Sequence, residues 1–301
     1  MSQAPSSAYE RLLAAAAQLK VPDAVREAAL ATPEDPQPGQ IWRVAWVDVV
    51  ELVAITSVSD TAVHAVPVSL ETHFHDEKTL LLPAAATTVE QPLALWYGLG
   101  ARLPWWVLDR QVSQLPDSLK SPQDGPPGSR RGSAIASPAA PAAEFRAALA
   151  DALEHFAAAS WTPAGSGDLT TLLRKHKLGA HDLVRHLDIE PPRALALLRG
   201  QTPLTPDEAA ILGPVMGQTQ DRVLEANPEL PDQLVHQLSR PARRAQIRLL
   251  AHRSGTSEQQ ARLSAAYGAF GLAARQDGGT TDWSGRLDRF FHVHLDQAPG
   301  R

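Results

Sequence analysis

Residues 178–200, LGAHDLVRHLDIEPPRALALLRG, admit few backbone arrangements. Leu183, Val184 and Leu187 stand at i, i+1 and i+4 and form the apolar stripe of one short helix. Ala194, Leu195 and Leu198 form the stripe of a second. Asp188 occupies the turn between them, and Asp tolerates left-handed backbone angles better than most residues with a side chain. Pro191 falls at a first helical position, where its missing N–H costs nothing, and Gly200 is a C-terminal stop. Thr205-Pro206-Asp207-Glu208 then reads as a capping box with proline at the first helical position. Six local signals thus agree on a pair of short helices joined by a tight turn, with a third helix after it.

At 301 residues the chain has length for two domains, each with its own core. The formal charge of −5 gives no global attraction to nucleic acid or anionic membrane, so any such binding depends on a local patch. The absence of cysteine excludes disulfides, thiolate catalysis and cysteine-ligated zinc. No apolar run approaches the ~20 residues of a membrane helix. The opening MSQAPSSAYERLLAAAAQLK lacks a basic leader before its apolar run, so no signal peptide is expected and the expected location is cytoplasmic.

The periodicity divides the chain into an α+β arrangement. Residues 1–35 are expected to carry short N-terminal helices. Residues 36–117 are dense in Val, Ile, Thr and Trp, as in IWRVAWVDVVELVAITSVSD and TAVHAVPVSL, with further strand candidates at 79–83, 92–98 and 104–110. Five of the seven tryptophans fall between Trp42 and Trp106, so this segment owns a β core, and its short, closely spaced strands favour a small barrel. GLGARL, from Gly98, is expected to be only a turn. Residues 118–142 are rich in Pro, Gly, Ser and Ala and read as a flexible linker. Beyond it the pattern is helical. Residues 143–228 are expected to form one domain, and residues 229–301 a helical extension with Trp283, Leu287, Phe290 and Phe291 packing back onto its neighbours.

The run from Leu178 to Gly200, continuing through LTPDEAAILGPVMGQTQDRVLEANP to about Pro228, resembles the XRE, or lambda-repressor-like, helix-turn-helix family. With DLTTLLRKHK before it, the resemblance covers about a fifth of the chain. It implies that the second helix of the pair enters the major groove of double-stranded DNA, and that the protein reads two half-sites as a homodimer. Family members usually open the first helix of the pair with Ser and Gln, which grip phosphate; this chain has Gly179 and Ala180. The second helix opens Glu190, Pro191, Pro192, so base or phosphate contact falls to Arg193 and Arg199. Arg185, Lys175, Lys177, Gln201 and Thr202 are the expected backbone contacts, beside Arg174.

PGQIWRVAW, VHAVPVSL and PLALWYGLGARLPWWVLDRQVSQL are similar to the MazF/PemK-like toxins, SH3-like barrels with endoribonuclease members. The similarity implies an active hydroxyl at Ser69, paired with an arginine in the loop after the first strand. Where that arginine belongs, Val47 to Glu51 read Val-Asp-Val-Val-Glu and would repel phosphate. The barrel is therefore expected to be inactive as a nuclease.

Two other patterns are functional candidates. His73 and His75 alternate in an acidic loop, as His292 and His294 do near the C-terminus, but no third ligand is fixed by spacing and no metal or other cofactor is expected. Arg240, Arg244 and Arg248 fall at i, i+4 and i+8 in a stretch without acidic residues between Asp232 and Glu258. They read either as a solvated face or as a nucleic-acid strip. The leading expectation is a DNA-binding regulator; the alternatives are an endoribonuclease fused to its own antitoxin-like domain and an interaction scaffold.

Overall fold

The computed structural model of the chain describes residues 31, 33–116, 140–162, 165, 167–273 and 282–296. Residues 1–30, where the short N-terminal helices were expected, lie outside them, as does the expected linker from residue 118 to residue 139. The chain forms two compact units, Met1–Ala158 and Ala159–Arg301.

The first unit holds seven antiparallel strands: β1 (Gln40–Trp46), β2 (Val49–Val58), β3 (Ala62–Ser69), β4 (Thr79–Leu82), β5 (Leu93–Trp96), β6 (Ala101–Pro104) and β7 (Leu108–Gln114). Their order is β4-β5-β3-β2-β1-β7, with β6 also on β3. β3 shares one edge between two partners: Ala62–Ala65 pair with β6, while Val68 and Ser69 pair with β5. The expected barrel is instead an open sheet, since β4 and β7 at its ends do not pair. Three of the seven strands are only four residues long, which limits how far the sheet can wrap. The segment after Gly98 is strand β6 rather than a mere turn, and 104–110 divides into a short 3-10 turn at Trp105–Val107 and the start of β7.

One face of the sheet packs Ile41, Ala54, Val66, Val68, Leu82, Leu93, Leu95 and Leu115 into a core. The other face, at β5, is covered by helix α1 (Ala140–Ala157), whose Phe145 and Leu149 pack with Ala94, Trp96, Phe74 and Leu99. Burial on both faces explains why all of β5 is buried and why β3 is nearly so. The sequence assigned residues 143–159 to the helical domain and 140–142 to the linker. α1 lies instead in the first unit, because Phe145 and Leu149 at i and i+4 need an apolar surface and the sheet supplies one. Phe145 stacks on Phe74 at 4.9 Å. Arg146 forms an ion pair with Asp76 and donates to the Gly98 carbonyl at 3.1 Å.

The second unit is helical: α2 (Leu169–Lys175), α3 (Ala180–Leu187), α4 (Pro191–Leu198), α5 (Pro206–Met216), α6 (Gln220–Glu225), α7 (Asp232–Ser239), α8 (Pro241–Ser254), α9 (Glu258–Ala273) and α10 (Trp283–Phe291). The short helices α2 to α6 share one core that includes Leu173, Leu183, Leu187, Ala194, Leu197, Leu212 and Val223. Asp188 is left-handed between α3 and α4 (φ 52°, ψ 45°), and Pro191 opens α4. Thr205 Oγ1 accepts from the Glu208 N–H at 3.2 Å while Glu208 Oε2 accepts from the Thr205 N–H at 2.8 Å, closing the capping box. Asn227, almost fully buried, accepts from the Leu204 N–H and donates to the Leu204 carbonyl, fixing the approach to α5. α10 packs Trp283, Leu287, Phe290 and Phe291 inward, as their spacing predicts.

Candidate functional site

Most of the residues that the sequence singled out for DNA contact lie on the short helices α2 to α4 and the turns that follow them. Arg174 and Lys175 sit exposed in the last turn of α2, and Lys177 follows them, exposed, at φ 56°. Arg185 is exposed on α3 and paired with Asp182 at 3.3 Å. Asp182 in turn accepts from the Gly179 N–H at 3.0 Å, and that bond, with help from Arg185, His181 and His186 against slight desolvation, holds its carboxyl below the usual range. Arg199 is exposed at the C-terminal cap of α4, and Gln201 and Thr202 are half-buried just beyond.

Arg193 behaves differently. Its Nε and Nη2 donate to Glu208 Oε1 and Oε2 at 2.8 and 2.7 Å, and Nη2 also reaches the Pro203 carbonyl at 3.4 Å. The residue expected to reach a base edge is thus a clamp between α4 and the start of α5. The reason is Glu208, whose carboxylate serves the capping box and the guanidinium together. Burial alone would raise the Glu208 carboxyl, but the bonds from Arg193 and Thr205 outweigh it and hold the group below its ordinary value. What α4 presents outward is Glu190, Pro191, Pro192, Leu195 and Arg199, all exposed, with Leu195 at 43%.

The expected strip of Arg240, Arg244 and Arg248 is not a surface strip. Arg240 caps α8 and is half-buried, and Arg244 is only 3% exposed. The carboxylate they lacked in sequence stands just past the run. Arg244 Nε lies 2.9 Å from Glu258 Oε1, and Arg248 Nε lies 3.2 Å from Oε2. Arg262, which sequence reading missed, joins them through Nη2 at 3.0 Å while its guanidinium lies over the buried Trp161 ring. The signal for it was present: Glu258 and Arg262 are an i, i+4 pair. Burial pushes the Arg262 guanidinium down to about 10, with Glu258 opposing and Arg244 and Arg248 adding to the shift.

The first unit has a cleft of about 460 Å³ whose walls include Arg43, Val50, Glu51, Ser69, Glu71 and Phe145. β2 and β3 pair at Leu52↔Val68, so Glu51 and Ser69, one residue further along each strand, come to the same place. Ser69 Oγ accepts from Trp96 Nε1 at 3.0 Å. Arg43 reaches the same cleft from β1 rather than from a loop, with its charge matched by buried Asp109. Burial raises the Glu51 carboxyl above its usual value, and Glu71 raises it further. A cleft with two carboxylates beside Ser69 disfavours phosphate. The sequence marked Glu71 only as a carboxylate of the His73–His75 loop, not as a partner of Ser69, and the α1 wall was invisible as part of a site.

The charge is divided unevenly: residues 1–158 carry 11 Lys and Arg against 18 Asp and Glu, and residues 159–301 carry 17 against 15. Among the described residues no three His, Cys, Asp or Glu side chains converge as a metal site would require. His75 Nδ1 pairs with the Thr72 carbonyl at 2.9 Å, and His294 Nδ1 with the Phe290 carbonyl at 2.8 Å. No described helix is long and apolar enough to cross a membrane. A comparison with models of known protein families finds no match, and a comparison with curated proteins finds none either.

Proposed function

We propose that the helical unit is a helix-turn-helix module of the XRE type that binds duplex DNA, chiefly through phosphates, in a cytoplasmic regulator. The observation that carries this reading is the left-handed Asp188 turn, which joins two short helices over one core, with Leu195 and Arg199 exposed at α4, Arg185 exposed on α3, and Arg174, Lys175 and Lys177 exposed at and after the end of α2. Arg199 is the one outward cation of α4; with Arg193 held by Glu208, base readout is sparse. Dimerisation, which two half-sites require, has a surface in α5, where Ile211 and Val215 are exposed one turn apart. The sheet unit, read as an SH3-like relative, cuts no RNA because Glu51 and Glu71 flank Ser69.

Affinity for random duplex DNA, measured against salt, tests the reading. Four or five phosphate contacts give a log–log slope of about −4. Replacing Lys175, Lys177 and Arg199 together by Ala should flatten it by about three contacts' worth. A flat salt response of the unaltered protein refutes duplex binding. A second reading is favoured by the outward Leu195, Pro191 and Pro192, an apolar surface suited to a protein partner. Under it, Leu195→Asp abolishes partner binding while the salt response is absent from the start.

A further inference from the structure

The cleft of the sheet unit holds two acidic side chains that no described residue pairs with. Neither the Glu51 nor the Glu71 carboxylate forms an ion pair or hydrogen bond with a described residue, whereas Arg43, the cation in the same wall, is matched by Asp109. Glu71 is exposed and bears little cost, but Glu51 is half-buried, and leaving its carboxylate unpaired is costly: burial and Glu71 both act against its charged form. A fold that only needed to fill this space would place an apolar side chain at Glu51, as it does at Leu52 and Val68.

The remaining walls define the shape of an occupant. Val50, Leu52, Leu70 and Leu149 are aliphatic, Phe145 presents an aromatic ring, and the cleft volume of about 460 Å³ is within the range of small-molecule sites. Ser69 is 6% exposed, and its oxygen accepts from Trp96 Nε1, so its own O–H remains as a donor beside the carboxylates. The surplus of 18 acidic over 11 basic side chains in residues 1–158 adds a negative field that favours cations.

We propose that this cleft binds a small organic cation, an amine or guanidine on an apolar body, with Glu51 and Glu71 pairing its charge, Phe145 and the aliphatic walls covering its hydrocarbon, and Ser69 meeting any acceptor it carries. The site is independent of duplex binding by the helical unit. Glu51 and Glu71 are binding residues here and take no part in a covalent step.

Thermal unfolding and calorimetric titration of the full chain test the proposal with phenethylamine and agmatine as probes. Benzyl alcohol and phenylacetate serve as neutral and anionic comparisons, and a short lysine-containing peptide distinguishes a free cation from a protein side chain. Saturable binding of a free amine or guanidine is expected, with none for the neutral or anionic compounds. Glu51→Gln and Glu71→Gln should each weaken it roughly tenfold, the loss of one charge-assisted contact. Because Glu51→Gln removes a half-buried, unpaired charge, that variant should be at least as stable as the parent, so its lost binding cannot be ascribed to unfolding. Equal binding by both variants, equal binding of the neutral compound, binding of the peptide alone, or no saturable binding of either cation each overturns the proposal.

Discussion

Replacing Arg193 by Ala separates a clamp from a base reader. In the structure Arg193 makes a two-pronged bond to Glu208, whose side chain is 11% exposed, while that of Arg193 is 34% exposed. Stripping one partner from a buried pair costs about 3–5 kcal/mol. Because a third of the Arg193 side chain reaches solvent, screening reduces this to about 2 kcal/mol. For a unit of this size that lowers Tm by about 4–8 °C, read by circular dichroism of the full chain. Arg199→Ala, at an exposed position, should stay within about 0.5 kcal/mol of the parent. The pH dependence gives a second reading. The Glu208 carboxyl is held below its unfolded value, so the stability it contributes is present above that value and is lost as pH falls through the lower, folded value. The gap between parent and Arg193→Ala should therefore be full at neutral pH and close under acid. An unchanged Tm together with lost DNA binding refutes the clamp and restores Arg193 as a reading residue.

Glu51→Gln should raise Tm at neutral pH. The folded state raises the Glu51 carboxyl, so the stability linked to that group is present below its unfolded value and is lost as pH rises through the folded one; the variant's advantage should grow with pH, and one largest in acid contradicts the assignment. Gly268→Ala should destabilise by about 1–3 kcal/mol despite the better helix propensity of Ala, because the new Cβ would lie 2.3 Å from the Phe290 ring, which His294 backs at 4.0 Å; urea unfolding that shows a gain refutes this packing. Val47, 77% exposed in the β1–β2 turn at φ 52°, carries a branched side chain in a backbone region that favours glycine, so Val47→Gly should gain about 1 kcal/mol in the same assay, and a loss would mean that the side chain has a contact worth more than the strain.

Signals carried by neighbouring residues were legible in the sequence. Asp188, Pro191 and the Thr205–Glu208 box act on backbone within four positions, and each sits where its chemistry predicts. The inward face of α10 follows from apolar spacing in the same way. What sequence did not give depends on partners far along the chain. Arg43 meets Asp109 and Arg146 meets Asp76 across 66 and 70 positions, so neither the chemistry of the cleft nor the place of α1 could be read from a window. The arginines of α8 show the same limit on a smaller scale. Spacing put Arg244 and Arg248 on one face, but whether that face met water or Glu258 depended on how α9 folds back. Arg193 was misread because Glu208 was credited with a single task. Closure of the sheet was equally non-local, since β3 divides one edge between β5 and β6.

The seat of α1 on the sheet bears on how this protein is divided for study. A fragment ending near residue 117, where strand-forming sequence runs out, would leave Trp96, Phe74 and Leu99 facing water without Phe145 and Leu149. Such a piece would show a sticky aromatic surface, and toxicity or aggregation seen with it would report the cut rather than the protein. The compact unit that holds the sheet runs on to Ala158, past α1.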